Sequence, residues 1–280
     1  MLHDVVDRHL LEAVPVEHDA RAFDDLRAGA RFVLGGVGHD GELESAFYVL
    51  EHKLMRGKVL VTLRPRRRVM KLYYMETMNP RKACATAKYL RSPVEYVPIE
   101  RVPGGLKGDT YLAINPNGRA PVLTDGELTL WESAAIMMHL AIRAKSDLWP
   151  ASDPARQVEV IRWVSWDSCE FAPHAGAFYF ENYIKPRFGF GSPDPASLEA
   201  KREPLRQSAR LLDAHLARSR FLVGDQLSIA DFCVGVLLPQ QDEIGLGLRE
   251  FSNLQRWHGR LMELDAWRDP WPTVPARERS

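Results

Sequence analysis

Cysteine is scarce in this chain, and the three present, Cys84, Cys169 and Cys233, form no CxxC pair and keep no zinc-ligand spacing with histidine. An odd, scattered set excludes a disulfide framework and a structural zinc site, and points to a reducing compartment. Net charge is missing as well. The 37 Lys and Arg are balanced by 37 Asp and Glu, so no field of one sign favours nucleic acid or an anionic membrane. The longest apolar run, "AAIMMHLAI" from Ala134, falls far short of the roughly 20 residues needed to cross a bilayer. The opening "MLHDVVDRHLLEAV" mixes acids and bases among apolar residues and lacks the basic-then-apolar build of a signal peptide. Repeats and low-complexity tracts are absent. What is present, 45% hydrophobic and 26% charged residues over 280 positions, is the composition of a globular chain of one large or two ordinary domains. The expectation is a cytoplasmic protein with no metal, nucleic-acid or membrane partner.

Three segments separate by pattern. Residues 1–69 are charged, rich in His and Asp, and end in "RPRRRV", most simply a solvated linker. Residues 70–147 alternate short apolar runs with helical ones. "KLYYM" predicts a strand, "PRKACATAKYLR" a helix with Pro80 in its first turn, and "VEYVPIE" from Val94 a second strand. "PVLTDGELTL" predicts a hairpin turned at Asp125-Gly126, and "ESAAIMMHLAIRA" from Glu132 a closing helix. The first half needs a parallel crossover, and the hairpin adds antiparallel strands. Residues 154–272 are nearly all helical, with Pro173 expected to end or kink the first long helix. In "LVGDQLSIADF", Ser228 stands as N-cap with Asp231 at N3, a variant of the capping box. A small mixed α/β unit followed by a helical bundle is the architecture expected.

One stretch points elsewhere. Gly36-x-Gly38-x-x-Gly41 follows the apolar "RFVL" and precedes "ELESAFYVLEHKL", which scans as a helix, and then the strand-like "KVLVTL". That is the outline of a dinucleotide-binding turn. The acid expected at the end of the next strand is absent, with Arg64 in its place, and one such unit cannot build the crevice that the cofactor occupies. The same stretch faintly resembles the C-terminal tail of medium-chain dehydrogenases, so residues 1–69 are either a fused remnant or a misplaced start.

"NPNGRAPVLTDGELTLWESAAI" from Asn115 resembles the glutathione-binding core of the glutathione S-transferase family, "FLVGDQLSIADF" from Phe221 its helical-domain capping motif, and "MKLYY" from Met70 its first strand. The likeness covers residues 70–270. It implies an α/β plus all-α fold, with a thioredoxin-like β-α-β-α-β-β-α domain followed by an all-helical domain. It also implies glutathione as cosubstrate, no metal, a small apolar electrophile as second substrate, and a homodimer. By the same resemblance Pro121 is the family's cis proline, and Ala120 presents its backbone to the cysteinyl part of glutathione as an added strand would. Glu132 and Ser133 suit the γ-glutamyl ammonium and carboxylate, although both could simply cap their helix. Lys107 and Arg119 are cations available to the glycyl carboxylate, or ordinary solvated charges.

The turn in "YYMETMNPRKA" is where the reactive thiol belongs. In the family the group holding it is a Tyr, a Ser or Thr, or a Cys. Here no Cys stands in the turn, and Tyr73 and Tyr74 stand too close to "RKA" for the Tyr-type spacing. Thr77, four residues before Arg81, resembles the Ser-type members, with Asn79 assisting. The alternative for Thr77 is a plain helix cap. Met78 departs from the commoner Pro. Trp163 and Trp166 are assigned to the second-substrate wall, although aromatic residues at helical spacing usually pack. Conjugation is the reading adopted. Glutathione-dependent disulfide or peroxide reduction, and a non-catalytic binding module on the same fold, stay open.

Overall fold

The structure, a computed structural model, describes residues 69–102 and 104–272, and before them the backbone of 36–37, 43–44, 48–55 and 58–65. Chain contacts divide it into two units, Met1–Arg68 and Val69–Ser280. In the first unit β1 (Gly36–Val37) pairs antiparallel with β2 (Leu43–Glu44), and β3 (Tyr48–Met55) with β4 (Lys58–Pro65). The helix expected across "ELESAFYVLEHKL" is therefore strand at Leu43–Glu44 and from Tyr48 on, and its remaining residues lie outside the described ones. Its Tyr, Val and Leu suit a pleated ladder, and "KVLVTL" immediately downstream supplies a partner in register from Met55↔Lys58 to Tyr48↔Pro65. Gly38, Gly41 and Arg66–Arg68 lie outside the described residues. Among the described residues no helix follows the glycine pattern, and so none there offers an N-terminus on which a pyrophosphate could rest.

The second unit opens on β5 (Met70–Tyr74), whose alternation puts Met70, Leu72 and Tyr74 into the core. It is flanked by β6 (Val94–Pro98), parallel to it, and by β7 (Val122–Asp125), antiparallel. The sheet order is β6-β5-β7-β8, with β8 (Leu128–Trp131) closing the hairpin. Asp125 pairs with Leu128, so the loop is Gly126-Glu127, one residue later than the pattern predicts. Gly126 sits at φ 66, a conformation glycine adopts without penalty. Between β5 and β6 runs α1 (Met78–Tyr89), a single turn α2 (Asp109–Leu112) follows β6, and α3 (Ser133–Arg143) follows β8. Ala83, Cys84, Ala85 and Ala87 of α1 are fully buried, and their small side chains let the helix lie close to the sheet on one side and the helical layer on the other.

That layer begins with α4 (Pro154–Trp166), whose N-cap Asp153 accepts from the Arg156 N–H at 3.0 Å. The helix runs on through a wide five-residue turn, Asp167–Phe171, into α5 (Ala172–Tyr179). A second wide turn, Phe180–Ile184, leads into α6 (Lys185–Phe188). Pro173 does not end the helix, because it falls where the ladder returns from five-residue to four-residue bonding and its missing N–H is least needed. Next come α7 (Pro195–Leu216), capped by Asp194, and the short α8 (Ile229–Val234). The chain closes with α9 (Ser252–Met262) and α10 (Asp265–Arg268). Among the described residues no helix is long and apolar enough to cross a membrane.

The expected capping box at Ser228 is present and larger than the sequence alone indicates. The buried Asp231 carboxylate accepts from the backbone N–H groups of Leu222 and Ser228 at 2.9 Å, the Ser228 hydroxyl at 3.0 Å and the Trp257 indole at 3.0 Å. It thereby fixes the loop before α8, the start of α8 and the face of α9 at once. Asp231→Ala is expected to strand these donors and to cost about 3–5 kcal/mol. Urea unfolding would show this as a lower midpoint at unchanged slope; a loss below about 1 kcal/mol would mean that water replaces the carboxylate.

Candidate active site

Three chain ends converge beside β5: the start of α1, the loop before β7 and the start of α3. Thr77 is the extended N-cap of α1, and its hydroxyl makes no capping hydrogen bond. Its carbonyl accepts from the Arg81 N–H at 3.0 Å, so the backbone is held while the side chain is left available. Another N–H of the first turn, that of Met78, turns to the Tyr179 hydroxyl across the interface with α5. Burial pushes the Tyr179 phenol above its ordinary range, and this hydrogen bond pulls the other way. The Met78 side chain packs over Gly176, where an added Cβ would meet its Cε at 3.9 Å. The residue that departs from the family pattern thus seats the turn on the helical layer.

The loop before β7 is built by Asn115, itself buried. Its Nδ2 donates to the Arg119 carbonyl at 2.6 Å, and its Oδ1 accepts from the Asn117 N–H at 3.1 Å. The Tyr111 hydroxyl donates to the same Arg119 carbonyl at 2.8 Å. Past this clamp the Ala120–Pro121 bond is cis. The Ala120 N–H and C=O make no hydrogen bond among the described residues, because the ladder between β5 and β7 begins only at Val122.

At the start of α3, Glu132 holds φ 72 and ψ 118, a backbone conformation that non-glycine residues rarely adopt. This turns the exposed Glu132 carboxylate and the buried Ser133 hydroxyl toward one small cleft of about 60 Å³, which Asn79, Arg119, Ala120 and Pro121 also line. A carboxylate or an ammonium fits such a volume, and a drug-sized molecule does not. Lys107 stands one layer back, its Nζ 3.1 Å from where a Gly118 Cβ would lie.

Thr77 opens on a second, larger cleft of about 270 Å³, between α1 and the helical layer. The first cleft therefore takes in Asn79, Arg119, Ala120, Pro121, Glu132 and Ser133, while Thr77 faces the second across the α1 N-terminus. Trp163 and Trp166 line neither. Trp163 is buried against Trp166 and His215 in the helical core, and the aromatic wall is made instead by Tyr179, Tyr183 and Trp271. Asn115, Asn117, Arg81 and Arg268 were not legible as site residues, although the i, i+4 spacing of Arg81 from Thr77 places both on one face of α1.

Behind the turn the next residue, Lys82, is buried and pairs with Asp167 of the first wide turn at 3.3 Å. Burial alone would lower the ammonium, but Asp167, Cys233 and Glu132 raise it above its ordinary value, so it stays charged. Cys84 is fully buried, and burial pushes its thiol far up, leaving no thiolate there. Among the described residues no cluster of His, Cys, Asp and Glu could hold a metal ion.

A model of the glutathione S-transferase N-terminal domain matches residues 68–142, and one of the C-terminal domain matches residues 171–265. Glutathione S-transferase 3 of Zea mays is 38% identical over 140 residues, which cover 49% of this chain and 62% of that protein. The chain thus spans somewhat less than two thirds of the maize relative. Glutathione S-transferase GstB of Escherichia coli (strain K12) is 32% identical over 194 residues, covering 68% of this chain and 91% of that protein. Among solved structures, the theta class glutathione S-transferase of Xanthomonas axonopodis pv. citri with glutathione bound is similar at a TM-score of 0.63 and 30% identity, covering 74% of this chain and 98% of that one.

The backbone at Glu132 can be tested apart from any ligand. Glu132→Gly removes the Cβ from a positive-φ position and is expected to unfold at the same or slightly higher urea concentration, a gain of up to about 1 kcal/mol. A loss larger than that would show that the conformation carries no strain.

Proposed function

The chain belongs to the glutathione S-transferase family, and on that premise we propose that it joins the sulfur of glutathione to a small electrophile in the cytoplasm. Glutathione lies extended along Ala120–Pro121, its γ-glutamyl head in the smaller cleft with Glu132 on the ammonium and Ser133 and the α3 N-terminus on the carboxylate. The glycyl carboxylate reaches Arg119, with Lys107 behind it. Asn79 borders the head group, and the cysteinyl sulfur lies at Thr77.

One observation carries this reading: Thr77 stands at the N-terminus of α1 on the larger cleft, and its hydroxyl is not engaged in capping its own helix. A thiol with a pKa near 8.5 is mostly protonated at neutral pH, and only the thiolate attacks. Each unit of depression requires about 1.4 kcal/mol. One hydroxyl donor and a helix N-terminus together supply that amount and more. The thiol proton leaves to solvent. The thiolate then forms the new sulfur–carbon bond as the leaving group departs with its electron pair.

The buried state of Cys84, and the absence of a cysteine from the turn, weigh against reduction through a protein cysteine mixed disulfide, the route of the family's reductase-type members; reduction by the bound glutathione thiolate itself would need room for a second glutathione. A homodimer is part of the proposal. Trp131, Ile142, Val158 and Ile161, apolar side chains left exposed on β8, α3 and α4, offer surface for it.

Ultraviolet titration of the glutathione complex tests the thiolate directly. A thiolate band is expected well below pH 8 in the native chain and displaced upward by about one unit or more in Thr77→Ala, with kcat falling about 10- to 100-fold. Unchanged titration and rate in that variant would remove Thr77 from the mechanism. Failure to bind glutathione at all would sink the enzymatic reading.

A further inference from the structure

Arg81 is nine-tenths buried yet lines the larger cleft, one helical turn past Thr77. One Nη donates to the Trp267 carbonyl at 2.5 Å, and the guanidinium lies 5.4 Å from the centre of the Trp267 ring. These contacts hold its plane but do not neutralise it. The Nε is closed to solvent with no hydrogen-bond partner. Among the described residues no carboxylate lies within ion-pair distance of it. Asp269, whose charge reaches it, is held by Lys88 at 2.9 Å. The remaining charges on the cleft do not cancel it either, since Arg268 is paired with Asp265 and Glu76 is exposed at the rim.

A buried, uncompensated guanidinium is unfavourable unless an anion joins it, and a planar fork of N–H donors matches a carboxylate. A cleft of about 270 Å³ has room for a substituted ring, given that a cavity of about 150 Å³ holds benzene. Tyr179, Tyr183 and Trp271 offer that ring its walls. We propose that the electrophile is an aromatic acid, its carboxylate docked on Arg81 and its reacting carbon thereby set over the sulfur at Thr77. The inference rests on the conjugating function proposed above and adds the charge of the substrate. The carboxylate takes no part in bond making: sulfur bonds to the ring carbon, and the carbon–halogen bond breaks with its electrons leaving on halide.

The test uses the full chain, glutathione, a chloronitrobenzoate and the corresponding neutral benzamide, each rate divided by its uncatalysed reaction with glutathione. The native protein is expected to favour the acid by about 10- to 100-fold in kcat/KM, the worth of one charge-assisted contact. Arg81→Gln should abolish that preference by slowing the acid about 10- to 100-fold more than the amide, whereas Thr77→Ala should slow both substrates and keep the preference. Equal use of acid and amide by the native protein overturns the assignment, as does a preference that survives in Arg81→Gln. Should that variant not fold, the native protein decides by inhibition: nitrobenzoate must compete with the electrophile at least tenfold better than nitrobenzamide, and equal competition rejects the proposal. Bound glutathione with the amide consumed as fast as the acid defeats only the role of Arg81. No glutathione binding and no turnover defeats the underlying function as well.

Discussion

Lys82 and Asp167 form the contact on which the rest of the second unit depends. An ammonium and a carboxylate, both shut away from water, meet at 3.3 Å where α1 crosses the first wide turn of the long helix. Removing either partner from such a pair leaves a bare buried charge, at a cost of about 3–5 kcal/mol. The pair therefore fixes the position of α1 against the helical layer more firmly than apolar packing alone, which tolerates small slides. Thr77, Met78, Arg81 and Lys82 sit on that helix within little more than one turn. The proposed sulfur site, its seat on the helical layer, the proposed anion site and the anchor consequently belong to one rigid element. Lys82 also feels the charge of Glu132, which lines the smaller cleft.

Local chemistry was the legible part of the fold. Ser228 and Asp231 announce their cap because the required atoms lie three residues apart, and the structure extends the pattern to Leu222 and Trp257 only because folding brings distant donors to a carboxylate already committed there. The strands β5–β8 and the helices α1 and α3 likewise follow from period and punctuation. The sequence could not rank "FYVLEHKL" as strand over helix, since either accommodates its side chains and only the pairing with Lys58–Pro65 decides. The matching motif also made most of the lining of the smaller cleft nameable in advance, since Asn79, Arg119, Ala120, Pro121, Glu132 and Ser133 meet there. Asn115 escaped notice because its role, clamping the Arg119 carbonyl, belongs to the loop rather than to the ligand. The tryptophans show the same limit: Trp163 and Tyr179 are alike in pattern and both are buried, and only the folded position puts one in the helical core and the other on the larger cleft.

The two clefts divide labour by size. The smaller has room only for a head group and is ringed by Asn79, Ser133 and a Glu132 held at φ 72. The larger is aromatic on one side and cationic on the other, and it is open enough for partners of varied shape. The strained backbone at Glu132 belongs to the first. The second is formed by side chains from α1, the helical layer and the segment after α10, so its shape can change by substitution without disturbing the first.

The wide turns in the helix that runs from Pro154 to Phe188 have a rotational meaning. Each carries about one residue more than an ordinary turn, and on a helix one residue is about 100° of rotation. Buried positions accordingly step by four, at Trp163, Asp167, Phe171, Ala175 and Tyr179, rather than drifting off the face as an uninterrupted helix would. The insertion works as a phase correction: it keeps Asp167 aimed at Lys82 and, three turns on, still brings Tyr179 round to the cleft. Sequence change in this helix is therefore constrained by length before it is constrained by identity. A conservative substitution at Ser168 or Glu170 leaves the phase intact, whereas a single deletion there would rotate every downstream side chain away from α1, including the phenol that receives the Met78 amide.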